Sequence, residues 1–143
     1  MGTLSLNGTT SGSTTIQPVN GVTATITLPN VTTTLTGTGA TQTYTAPQRG
    51  TVTTDNDLSF DMNVTNNFKC TPTATGALTF TNITAGQSGY VLLVNSGGYA
   101  ITAAATTKVG ATFLSTISAT GTYLISYMSD GTNVYCTASG ALS

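Results

Sequence analysis

Histidine, glutamate and tryptophan are missing from this chain, and charge is nearly so: three Lys or Arg and four Asp among 143 residues. Soluble domains ordinarily carry about 25% charged residues. Each absence closes a route. Without histidine or glutamate no ordinary base stands ready to take the proton from a serine or cysteine nucleophile. Neither lysine is preceded by a Ser-x-x-Lys partner. Zinc needs three or four Cys, His or carboxylate ligands, more than Cys70 and Cys136 provide. Arg49, Lys69 and Lys108 are scattered, whereas a nucleic-acid partner requires clustered cations to displace phosphate counterions. The longest dense apolar run, residues 90–94, falls far short of the ~18 residues that span a bilayer. Met1-Gly2-Thr3-Leu4-Ser5 has neither the basic region nor the apolar stretch of a signal peptide. The expectation is a protein made in a cytoplasm and soluble there, without enzyme activity, cofactor, metal, nucleic acid or membrane partner.

What is present is a strand-forming alphabet. Threonine alone supplies 35 residues, joined by Val, Ile, Tyr and Phe and punctuated by Gly and Asn. The net charge is -1 and the mean hydropathy +0.17, so the chain is polar without being ionic, unlike a disordered one. A soluble monomer usually keeps more charge on its surface. The deficit predicts that much of this surface is covered by other chains.

Two regions differ in character. Val22-Thr23-Ala24-Thr25-Ile26-Thr27-Leu28 alternates apolar and threonine with the period of a half-buried strand, and Pro29 ends it. Thr3-Leu4-Ser5-Leu6 is a shorter version, and residues 8–15 between them have no apolar face. Residues 1–48 are thus expected to form an extended arm ordered against neighbouring chains. Residues 49–143 carry the core. Leu58, Phe60, Met62 and Val64 alternate with polar residues, as do Phe68 and Cys70, then Leu78 and Phe80. Tyr90-Val91-Leu92-Leu93-Val94 is apolar on both faces and reads as a central strand covered from both sides. Asp130-Gly131 between alternating runs signals a hairpin, with Leu124, Met128, Val134 and Cys136 expected on one face. Only Ala103-Ala104-Ala105 hints at helix, and its flanks favour a loop or a single turn. No fixed-period repeat is visible, which tells against a solenoid. The fold class expected is all-β: a β-sandwich or jelly-roll-like domain with an extended N-terminal β-arm.

Few residues remain as candidates for chemistry. Asp55, Asp57 and Asp61 form the one acidic cluster. Asp57 and Asp61 share a strand face roughly 13 Å apart, too far for the carboxyl pair of a glycosidase, about 5–9.5 Å. Asp55-Asn56-Asp57 opens like a calcium loop but lacks the glycine and glutamate that complete one. The cluster reads as a solvated strand entrance, with a weak cation site as the alternative. Cys70 and Cys136 read as buried free thiols in a cytosolic chain. Tyr44, Tyr99, Tyr123, Tyr127 and Tyr135 read as exposed aromatics, expected to cap the ends of a core or fill an interface, or else to stack on sugars of a bacterial surface. Recurrent Thr-x-Thr, as at Thr23, Thr25 and Thr27 or at Thr79 and Thr81, matches an ice lattice only in regularly stacked coils, and reads as ordinary strand faces. The Asn-x-Thr sequons at Asn7, Asn30, Asn63 and Asn82 are frequent by composition alone and are not read as glycosylation sites.

Several phrases together resemble a known family. Gln48-Arg49-Gly50-Thr51-Val52-Thr53, Asn66-Asn67-Phe68 and Asn82-Ile83-Thr84-Ala85-Gly86-Gln87-Ser88-Gly89 are similar to successive signatures of a β-module of tailed-bacteriophage virion proteins. Gly121-Thr122-Tyr123-Leu124-Ile125-Ser126-Tyr127 and Ser129-Asp130-Gly131-Thr132 resemble that module's final hairpin. Residues 6–18 resemble a low-complexity phrase frequent in phage structural proteins. One stretch departs: where many relatives carry an aromatic-Pro-Gly-Gly loop, this chain reads Lys108-Val109-Gly110-Ala111-Thr112. The resemblance implies a virion structural protein and brings no catalytic residues. A small chain of one arm and one module fits a capsid decoration, cement or head-fibre protein, assembled as a trimer on the major capsid protein or other virion proteins. A short tail fibre or receptor-binding module on host surface glycan is the alternative.

Overall fold

The computed structural model describes residues 47–143. The expected arm, its strands at residues 3–6 and 22–28, and Tyr44 lie outside the described residues.

Those residues are all-β apart from one short helix. Strands β1 (Val52–Thr54), β2 (Ser59–Asp61), β3 (Asn67–Cys70), β4 (Gly76–Thr81), β5 (Ser88–Asn95) and β6 (Ile101–Ala103) come first. Then follow β7 (Thr107–Val109), helix α1 (Phe113–Ser118), β8 (Gly121–Ser129) and β9 (Val134–Ala138). They form a six-stranded sheet in the order β1-β3-β5-β8-β9-β7 and a three-stranded sheet β2-β4-β6.

Odd and even strands alternate between the sheets, so the first six strands wind as a stack of coils. Within it every pairing is parallel: β1 with β3, β3 with β5, β2 with β4, and β4 with β6. A parallel neighbour cannot be reached by a tight hairpin. Here the return path is a strand of the opposite sheet. A jelly roll instead pairs its strands antiparallel in Greek keys, so the finer expectation of a jelly roll gives way to a β-solenoid-like stack. No fixed period marks it in the sequence because the coils are unequal. One turn runs from Val52 to its partner Asn67, and the next from Asn67 all the way to Tyr90. Antiparallel pairing enters only with β8, which lies along β5 and then β9.

The core lies between the two sheets. Leu58, Phe60, Met62, Phe68, Leu78, Phe80, Val91 and Leu93 are buried in it, as the alternation predicts, while Val64 is exposed. Phe60 stands over Phe68 with ring centroids 5.0 Å apart and over Phe80 at 5.5 Å, and Phe80 meets Tyr127 at 4.8 Å. This aromatic file ties the sheets together. Full burial of each such side chain is worth about 1.5–3 kcal/mol. Helix α1 adds Phe113 and Ile117. The expected helical hint is displaced: Ala103 ends β6, and the helix forms ten residues later.

The hairpin is present, closed by residues 130–133 between β8 and β9. Its facing is the reverse of the expected one for β8. Tyr123, Ile125 and Tyr127 point inward with Val134 and Cys136, whereas Leu124 and Met128 are exposed on the outside. Tyrosine can occupy a core when its hydroxyl finds a carbonyl, and both do: Tyr123 donates to Ala119 O at 3.1 Å and Tyr127 to Asn66 O at 2.8 Å.

Candidate functional site

Asn66, the run Asn82 to Gly89, and Ser129 meet at one corner, where the links before β3 and β5 reach the end of β8. Gln87 Nε2 donates to Met62 O at 2.6 Å and to Asn66 Oδ1 at 2.7 Å. Asn66 O accepts from Tyr90 N at 3.2 Å as well as from Tyr127. The Ser129 hydroxyl donates to Thr84 O, while Gly86 N donates to Ser129 O and Ser129 N to Gln87 O. Asn82 and Gly86 adopt left-handed backbone (φ 53° and 79°), which Asn and Gly tolerate best. Gly89 passes so close that a Cβ there would stand 1.6 Å from Asn66 O. These polar groups are committed to the chain itself, and the corner is a structural joint.

The acidic trio is split. Asp57 Oδ1 accepts from Ser59 N at 2.8 Å. The Asp55 carboxyl is raised above the ordinary carboxylate range, first by burial and then by its bond to, and repulsion from, Asp57. Asp61 faces a different neighbour: its Oδ1 accepts from Asn82 Nδ2 (2.8 Å) and Asn63 N (2.9 Å), which hold its carboxyl low. Among the described residues no three His, Cys, Asp or Glu side chains gather closely enough to hold a metal ion. Asp130, expected as a turn residue, is one: Oδ1 accepts from Asn133 N (2.7 Å) and Thr132 N (2.8 Å), and Oδ2 from the Tyr135 hydroxyl (2.9 Å).

Both cysteines are buried and free, as expected. Burial pushes the Cys70 thiol up to about 11 and the Cys136 thiol up to about 12. Neither is poised as a nucleophile, because only the thiolate attacks. Thr79 and Thr81 sit beside Ser59 and Asp61 on the small sheet, so no rank of threonines forms there.

The remaining candidate surface is the outer face of the six-stranded sheet, where Tyr135 is exposed as expected and Leu124 and Met128, expected inward, join it. Tyr135 is 46% exposed on it, and cross-strand neighbours are Met128 on one side and Lys108 on the other. They border a groove of about 560 Å³ whose lining includes Gly110, Ser126 and Thr137. Volumes of about 300–1,000 Å³ are typical of ligand pockets. Lys108 Nζ is steadied by Ala105 O at 2.6 Å, and Tyr135 by Asp130. Tyr99, half-buried, instead packs at the turn after β5, where its backbone is bonded to Asn95. Reading parity outward from Tyr123 rather than Leu124 would have exposed this face in the sequence. Among the described residues no helix is long and apolar enough to cross a membrane. Compared with protein families, curated proteins and solved structures, the chain shows no match.

Proposed function

We propose that this chain is a structural protein of a tailed-bacteriophage virion, a small capsid decoration protein. In this reading it acts through subunit contacts, as a homotrimer seated on the major capsid protein or another virion protein, and transforms no substrate. The observation that carries the reading is the use made of its family-like residues. Asn66, Gln87, Gly89 and Ser129 join turns of a stacked β-module, while the broad outer sheet face exposes Val52, Leu124, Met128 and Tyr135 among uncharged polar residues and two lysines. That is the layout of a contact module. Avidity from repeated weak contacts would then anchor it to a symmetric shell. Counting copies per particle by quantitative mass spectrometry, with antibody labelling in electron micrographs, tests it. Hundreds of copies over the head are expected; a protein absent from the particle would remove the reading.

A second reading, a short tail fibre or receptor-binding module, has its own support in the groove. An exposed Tyr135 ring beside the hydroxyls of Ser126 and Thr137 suits stacking on a sugar. A handful of copies at the tail, with saturable attachment to host cells that Tyr135→Ala abolishes, would favour it over decoration.

A further inference from the structure

The groove on the outer sheet face is shaped by two rows of side chains that run across the strands. Met128, Tyr135 and Lys108 stand abreast on β8, β9 and β7. One pleat further from the hairpin, Ser126 pairs with Thr137, and Gly110 lies beside them, just past the end of β7. Large residues in the first row and small ones in the second leave the depression of about 560 Å³. Its floor is open: a Cβ added at Gly110 would meet nothing within 4 Å. From Ser126 to Gly110 the row crosses two strand spacings, roughly 10 Å, the reach of a short saccharide.

The lining offers three kinds of contact. Tyr135 presents an exposed ring held from the hairpin end, where its hydroxyl donates to Asp130 Oδ2 at 2.9 Å. Ser126 and Thr137 are exposed, and among the described residues their hydroxyls have no partner. Lys108 is the one charged side chain on the lining among the described residues. Its Nζ donates to Ala105 O at 2.6 Å and keeps two further donors. Asp130 lies off the lining, and its oxygens already accept from Thr132 N, Asn133 N and the Tyr135 hydroxyl.

We propose that this groove binds an acidic saccharide, with a pyranose ring stacked on Tyr135, hydroxyls bonded to Ser126 and Thr137, and a carboxylate paired with Lys108. The inference rests on the second functional reading, attachment to glycan, and names the class of sugar.

Other occupants fit less well. A peptide strand adds to a sheet through free main-chain groups at an edge, whereas this groove runs across β8 and β9, whose backbones are paired with each other. A nucleic acid needs clustered cations, and here one stands alone. A purely apolar ligand would desolvate the ammonium and two hydroxyls without a compensating bond. A pyranose has an apolar face for the aromatic ring and a rim of hydroxyls for the rest. The bond to Asp130 pre-orders that ring, so less freedom is lost on binding. A single exposed charge adds selectivity more than affinity, which makes discrimination between acidic and neutral sugars the property to measure.

The test is a glycan array of matched pairs, each pair alike except that a hexose in one member is the corresponding hexuronate in the other. Calorimetry on the full chain follows with the best-bound pair, and circular dichroism and Tm of every variant control for folding. The acidic member is expected to bind roughly five-fold tighter at low ionic strength, and the margin should shrink in high salt. Lys108→Gln should bring the two members level. Tyr135→Ala should lose binding to both. Gly110→Leu, which adds bulk to the open lining, should block both with Tm unchanged. Equal wild-type affinity for the two members overturns the acidic class yet leaves the glycan reading standing. Acidic binding that survives Tyr135→Ala and Gly110→Leu overturns the groove as its site. Failure to bind any pair overturns the proposal, while adsorption to host cells, measured separately, decides the glycan reading.

Discussion

At the scale of single residues, the tightest constraint is Gly89. Its backbone runs against the Asn66 carbonyl that Tyr127 and Tyr90 both use as acceptor, leaving no room for a methyl group. Gly89→Ala must therefore push two coils apart, and should cost about 3 kcal/mol or more in urea unfolding. Gly110→Ala, with nothing within 4 Å of the added Cβ, is the matched control and should change stability by less than about 0.5 kcal/mol. Asn95 is a second such point: fully buried, its Nδ2 donates to Tyr99 O and Ile117 O and its Oδ1 accepts from Tyr99 N. Asn95→Ala leaves those groups stranded and should cost about 2–4 kcal/mol by the same measurement. Burial raises both thiols so far that thiolate at pH 8 is about a thousandth or less of Cys70. Native protein should react with a disulfide reagent at least 100-fold more slowly than denatured protein, a rate ratio read directly from absorbance. Buried cysteines were legible in the sequence because each follows an aromatic in an alternating run. The inward tyrosines were not, since their burial depends on carbonyls supplied from distant links.

At the scale of elements, local signals did well where the partner is near in sequence. The Asp130-Gly131 hairpin is the clearest case, and its acid has a measurable consequence. Three donors, with Asn133 N foremost, then Thr132 N and the Tyr135 hydroxyl, hold the Asp130 carboxyl down at about 2. The unfolded chain returns it to 3.8, so it is the unfolded state that takes up the proton first on acidification. The contribution is complete above about pH 4 and is lost as the pH falls toward about 2. Asp61 acts in the same direction and Asp55 in the opposite one. Asp130→Asn keeps an acceptor for both backbone donors but cannot titrate. Its stability curve, followed by urea titration at successive pH values, should be flatter than that of wild type over this range. Wild-type slope in the variant would mean that other carboxylates set the acid limit. The pairing partners of β1 to β6 were illegible for a different reason. Alternation tells which side of a strand is buried, but an inward side chain looks the same whether its neighbour runs parallel or antiparallel.

At the scale of the whole molecule, the all-β class was legible and the path of the chain was not. A fixed period would need coils of one length, whereas here the strands lengthen from three residues in β1 to eight in β5 while the links between sheets stay at four to six residues. That path carries a kinetic cost. Gly76 on β4 finds its parallel partner Ile101 on β6 only after β5 has crossed the opposite sheet, and Phe80 must lie over Phe60 in the same stack. Such contacts close long loops before they return any burial, and chains dominated by them fold in milliseconds to seconds or more slowly. The long β5–β8 pair joins Ser88 to Met128 at one end and Asn95 to Gly121 at the other, and β7 reaches β9 across a similar span. Refolding of the purified chain should therefore run on the scale of roughly a second, with proline-limited phases set aside by interrupted-unfolding experiments. Tyr127→Phe removes the bond from β8 to Asn66 while keeping the ring against Phe80. If the β8 hairpin docks late, on a stack already formed, that variant should speed unfolding by several-fold and leave the folding rate nearly unchanged. Sub-millisecond refolding, or a loss confined to the folding arm of the chevron, would show that the hairpin organises the stack instead of closing it.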